Sequence, residues 1–144
     1  MNQHKLQRGV AIVEFALVLP MLILLMYIVI ELGRALMEYN TVAKSVRDAG
    51  RYLSIQLPNT KLTEAKNLVV YGNTAGTGSP LVTGLSTGLV PDPTWQPAGT
   101  DPIITTVTVQ VSGYAFTPMV PSVFGMSLGP YTFAPIRATM RSHL

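Results

Sequence analysis

The chain has no cysteine, two histidines and few charges. Without cysteine there is no disulfide framework, no thiolate metal ligand and no thiol nucleophile. Charged residues make up 12% of the 144, about half the usual quarter. With 48% hydrophobic residues, that excludes a disordered acidic or basic tail protein. The net charge is only +3, and no two Lys or Arg residues are adjacent. A nucleic-acid binder would gather its basic residues on one face, so nucleic acid is not an expected partner. The length suits one domain of ordinary size.

The scarcity of histidine bears on catalysis. His4 lies near the start and His143 near the end, and His143 reads as a solvated terminal residue. Asp92 and Asp101 are the only acids after Glu64, and they flank a proline-rich stretch around Trp95. A calcium site there would need several more oxygen ligands. The patterns GxxxxGK[ST] and HExxH are absent. The expectation is a non-enzyme with no cofactor, no metal and no small-molecule substrate. Trp95 reads as local packing or as an exposed contact for another subunit.

What the chain does have is one long apolar run. Val10 to Ile30 reads VAIVEFALVLPMLILLMYIVI, interrupted only by Glu14 and Pro20. About 20 such residues cross a bilayer as a helix. A helix apolar on all sides spans a membrane or lies in the core of a large protein, and for a run at the N-terminus of 144 residues the buried core helix is the less expected reading. Lys5 and Arg8 precede the run, and Glu31, Arg34 and Glu38 follow it. The positive-inside rule then keeps the N-terminus cytoplasmic and exports the rest. A cleavable secretory signal has a shorter apolar core before its small-x-small cleavage site; the run here is too long, and ELGRALMEYN after it does not look like a signal-peptidase site.

Glu14 is a carboxylate at the start of this stretch, where a charge is costly and usually has a partner and a task. Its context is Gln7-Arg8-Gly9, four apolar residues, then Glu14 and Phe15. This resembles a type IV prepilin processing site. The resemblance implies cleavage after Gly9 by a prepilin peptidase, with Val10 as the first mature residue. The new amine at Val10 and the carboxylate of Glu14 on a neighbouring subunit would then form a pair in an apolar setting. Such a pair is tolerated where a lone charge is not.

Beyond Ile30 the pattern becomes amphipathic. Leu32, Leu36, Tyr39, Ala43, Val46, Gly50 and Leu53 recur at three or four residues. Glu31 and Arg34, and Lys44 and Asp48, are spaced to pair on the helix surface. Pro58 stops the pattern, so the helix is expected over 10–57, kinked at Pro20. A second short helix is expected over 61–71, capped by Thr63 and ended by Gly72-Asn73. Residues 72–101, rich in Gly, Pro, Thr and Ser, read as a long irregular loop. Residues 103–113 alternate as a strand, with Val107, Val109 and Val111 on one side and Thr106, Thr108 and Gln110 on the other. Tyr114 to Pro118 extends it past a glycine break. Residues 131–140 read as a second strand, with Pro135 at an edge or bulge. Antiparallel pairing of these two across roughly a dozen residues would give a small sheet on the helix. Arg137 and Arg141 would share one side of the second strand, to contact another pilin or stay solvated.

The fold class is therefore α+β: a long N-terminal helix with a small antiparallel sheet on its C-terminal half. The divisions are a leader at 1–9, a membrane helix at 10–30, its amphipathic continuation at 31–57 and an exported domain at 58–144. The chain resembles the TadE-like minor pilins (pseudopilins) of the tight-adherence, type IVb pilus system. The residues that carry the resemblance are RGVAIVEFALVLPMLILLMYIVIELGRAL, AGRYLS, AKNLVVYGN, VTVQVSGYAFTP and ATMRS. The family implies a single-pass protein of the bacterial inner membrane with an extracytoplasmic C-terminal domain. It implies a part in pilus biogenesis, adhesion and biofilm formation. The implied partners are the prepilin peptidase, other pilins, the inner-membrane assembly platform and the lipid bilayer. Type II secretion pseudopilins share the processing motif and are the alternative, as is an uncleaved membrane-anchored binding domain.

Overall fold

The computed structural model describes residues 3–123 and 125–143, with side chains from residue 10 onward except that of residue 126. Among the described residues, helix α1 (Gln3–Leu53) is followed by α2 (Leu62–Tyr71), a single 3-10 turn (Thr87–Leu89) and seven strands. The strands are β1 (Thr94–Ala98), β2 (Ile104–Val111), β3 (Ala115–Phe116), β4 (Ser122–Val123), β5 (Met126–Ser127), β6 (Tyr131–Thr132) and β7 (Ile136–Arg141). The expected α+β class holds. The chain forms two units, Met1–Ala35 and Leu36–Leu144.

The first unit is the beginning of α1. Pro20 lies within the helix, where it withholds the N–H that would bond to the Ala16 carbonyl. Arg34 Nη1 donates to Glu31 at 3.1 Å (Oε1) and 2.9 Å (Oε2), so the expected pairing forms. The Lys44–Asp48 pair expected further along does not, and both side chains stay exposed.

In the second unit α1 buries Val42, Val46, Ala49 and Leu53, at the four- and three-residue steps of one helical face. The stripe read from the sequence was only partly right. Leu32, Leu36 and Tyr39 are exposed. Within this unit the apolar cover begins at Val42. The helix stops at Leu53, four residues short of the expected end. There the Ser54 hydroxyl turns back to the Arg51 carbonyl at 2.8 Å, and the Gln56 N–H bonds to the Leu53 carbonyl at 3.1 Å. Serine competing for helix carbonyls in this way favours termination.

Helix α2 does not use Thr63 as its cap. Lys61 occupies that position in the left-handed region, at φ 57°, with no side-chain cap bond. The chain reaches it through a tight turn in which Thr60 Oγ1 donates to the Leu57 carbonyl at 2.6 Å. Gly72 ends α2 as expected. Its φ of 72° lets its N–H reach the Leu68 carbonyl, the usual glycine solution at a helix end.

The expected irregular loop 72–101 is an ordered segment. Asn73 Nδ2 donates to the Thr77 carbonyl at 2.8 Å, and the Leu81 N–H donates to the Val70 carbonyl at 2.8 Å. Val82, Leu85 and Val90 join the core. The segment also supplies β1, hidden in the sequence by Pro97.

The main sheet has the order β1-β2-β7 and is antiparallel. The Ser142 N–H bonds to the Thr105 carbonyl. Antiparallel alternation then makes β2 residues 105, 107, 109 and 111 face β7 with their backbone groups, and 104, 106 and 108 face β1. It follows that Pro97 lies on the outer side of β1, where a missing N–H costs no ladder bond. Val107, Val109 and Val111 are buried as expected, against α1, α2, Ile136 and Ala138. The predicted strand 131–140 is split. Tyr131–Thr132 pairs with β3, and only Ile136–Arg141 pairs with β2. Pro135 sits at the break. The β2–β7 connection is therefore longer than expected and carries two small two-stranded sheets, β3-β6 and β4-β5.

Candidate functional site

The residues expected to act at the N-terminus are Gly9, Val10, Glu14, Phe15 and Pro20. All lie on α1, which is helical through the Gly9–Val10 bond. Val10 is 68% exposed and Phe15 is 60% exposed. Every residue from 10 to 23 is exposed. The most apolar window of the helix has a mean hydropathy of 2.6 and no burial. By length and composition this helix can cross a membrane. Nothing in its own unit covers this apolar surface. Glu14 stands in that surface and forms no ion pair among the described residues. The side chains of His4, Lys5 and Arg8, and all of Met1 and Asn2, lie outside the described residues.

A second cluster was not foreseen. Tyr114, 2% exposed, places its hydroxyl 2.7 Å from Glu38 Oε2 and 3.1 Å from the Thr83 carbonyl. Its ring stacks on Phe133 at 5.8 Å, and Phe133 meets the edge of Tyr39 at 5.5 Å. These contacts join the first turns of the second unit to the strand excursion between β2 and β7. The only sequence signal was an aromatic directly after the Gly113 break. Its partner Glu38 lies 76 residues away.

The other candidates have structural surroundings. Asp92 pairs with Lys66 Nζ at 2.7 Å, and Asp101 is exposed. His143 is exposed, and its backbone N–H donates to the Ser54 carbonyl at 2.8 Å. Among the described residues no group of three or more His, Asp or Glu could hold a metal. Trp95 packs against the core, and its buried Nε1 has no hydrogen-bond partner. Arg137 and Arg141 do share one exposed face of β7. Lys61 Nζ lies 2.9 Å from Glu64 Oε1. That hydrogen bond holds the Glu64 carboxyl below its ordinary range and raises the Lys61 ammonium above its own.

A family model described as TadE-like protein matches residues 9–51. The match starts at Gly9 and ends just before the C-terminus of α1. It supports a TadE-like protein of the tight-adherence pilus system, with a pilus-associated, pilin-like role. No curated protein matches the chain, and no solved structure does.

Proposed function

We propose that this TadE-like chain is a structural and assembly subunit, a minor pilin of the type IVb tight-adherence pilus. It serves pilus biogenesis, and through it adhesion and biofilm formation. In this reading it is inserted in the bacterial inner membrane with its N-terminus in the cytoplasm. A prepilin peptidase then cuts it after Gly9, and the assembly platform draws it out to join other pilins. The role is mechanical, and no step calls for catalysis by this chain.

The observation that carries the reading is an uncovered apolar helix bearing one carboxylate, Glu14, five residues past Gly9. A carboxylate at bilayer depth costs about 3 kcal/mol on insertion scales. Cleavage would create an amine at Val10, and a neighbouring subunit's Glu14 could neutralise it. Gly9 helps the cut. A glycine inside a helix costs about 1 kcal/mol relative to alanine, so the helix opens most easily at the bond to be broken.

The test is the intact mass and N-terminal residue of the protein from native membranes. A chain that begins at Val10 supports the reading. A chain that keeps Met1 in peptidase-competent cells overturns it in favour of an uncleaved anchor. Loss of secreted enzymes with pili intact, on deletion of the gene, would favour a type II secretion pseudopilin.

A further inference from the structure

The two edges of the main sheet are unlike. On β1 the outward residues are Trp95 and Pro97, and Pro97 has no N–H to offer. On β7 the Ser142–Thr105 bond sets the alternation. Ile136, Ala138 and Met140 turn their backbone groups toward β2, while Arg137, Thr139 and Arg141 turn theirs outward. No strand lies on that side among the described residues, and β7 contains no proline. One edge is blunted and the other is open.

The open edge borders a groove of about 530 Å³. Tyr39, Asn40, Ala43 and Arg47 of α1 form one wall, and residues 135–140 form the other. The lining contains two arginines and no acid. Arg141 lies on the same strand face as Arg137. Among the described residues, none of these three arginines forms an ion pair.

We propose that this edge and groove dock an extended, acidic segment of a partner protein. The segment would add a strand beside β7, bonding to the outward backbone groups of Arg137, Thr139 and Arg141. Its carboxylates, on the exposed face of the sheet, would meet Arg137 and Arg141, and its alternate apolar side chains would turn to the groove side. The charge pattern selects the occupant. A second β7 edge would bring arginine against arginine, which disfavours pairing. The β1 edge of a second copy is also a poor fit. Pro97 denies it a donor, and Asp92 beside it is already held by Lys66. The inference does not depend on processing at Gly9.

The test uses the full chain in detergent micelles and a fluorescent peptide that alternates valine and glutamate. A valine–lysine peptide is the control. The expected result is binding of the glutamate peptide alone, weakened about tenfold or more by Arg137→Glu with Arg141→Glu, as for other close charge pairs at interfaces. Hydrogen exchange should slow at the amides of Arg137, Thr139 and Arg141. Thr139→Pro, which removes one outward N–H and leaves the β2 ladder intact, should weaken binding without unfolding the sheet. Failure of the glutamate peptide to bind, equal binding of the lysine peptide or of the double variant, or protection elsewhere would overturn the proposal. So would concentration-dependent protection of those amides without peptide, which would assign the edge to a second copy.

Discussion

The hydroxyl of Tyr114 lies 2.7 Å from Glu38 Oε2, and so ties the strand excursion after β2 to helix α1. A hydrogen bond to a charged group contributes more than a neutral one, and a buried group left without its partner costs more still. Tyr114→Phe keeps the ring stack on Phe133 and removes the hydroxyl. Stability should fall by about 1–3 kcal/mol, read by urea unfolding in mild detergent from the fluorescence of Trp95, the one tryptophan. Glu38→Gln retains an acceptor oxygen and should cost less. An unchanged midpoint for Tyr114→Phe would contradict the assigned role of this bond.

Gly72 is held at φ 72°, and a Cβ there would sit 3.2 Å from Leu81 Cδ2. A side chain in the left-handed region costs about 1–2 kcal/mol. Gly72→Ala should lower stability by that amount. Gly88→Ala is the control: its Cβ would meet only Ser86 Oγ, at 3.8 Å. The prediction fails if the two variants unfold together.

The Lys61–Glu64 pair makes a signed pH prediction. Glu64 has a lowered folded value, so its contribution is present above the ordinary carboxylate range and is lost as pH falls through the folded value. Lys61 has a raised folded value, so its contribution is present below the ordinary lysine range and is lost as pH rises through the folded value. The pair therefore adds stability on a plateau between those ranges. Both groups are exposed, so salt should shrink the effect. Thermal midpoints of the parent and Glu64→Gln, measured across pH, should differ on the plateau and converge in acid. A difference that grows in acid would show the sign to be wrong.

Processing and assembly should separate at two positions. Gly9→Leu should leave an uncleaved precursor and no pili, seen by immunoblot and electron microscopy. Glu14→Ala should be cleaved much as the parent is, yet assemble poorly, because the Val10 amine would lack its partner carboxylate. Equal loss of cleavage and assembly in Glu14→Ala would rule out the pairing role.

Leu53→Ala probes the packing of α1 on the sheet. Leu53 is fully buried among the core residues. Truncation leaves a cavity, and the loss should be about 2–5 kcal/mol. Leu36→Ala, on an exposed position of the same helix, should change stability little. Equal losses would mean that the buried face is misassigned.

The sequence by itself determined the features that depend on near neighbours in the chain. The apolar run 10–30 dictates a helix that water does not favour, and Glu14 is conspicuous because everything beside it is apolar. The alternation at Val107, Val109 and Val111 marks β2, since a period of two is a property of the backbone. Gly72 ends α2 because its backbone alone is free to turn there.

Tertiary structure decided what depends on partners far away in the chain. Strand β1 was read as loop, because Pro97 within it and Pro93 just before it are poor strand residues on their own. They are accepted at an edge, where the outward side of Pro97 owes no hydrogen bond. The split at Pro135 depended on β3 claiming Tyr131 and Thr132. The face of α1 that is buried was fixed by where the sheet packs, which a helical period cannot locate along its axis. The Tyr114–Glu38 bond and the open arginine-lined edge of β7 belong to the same kind. Each is made by residues whose chemistry is ordinary in sequence and acquires a role only through the groups that folding brings beside it.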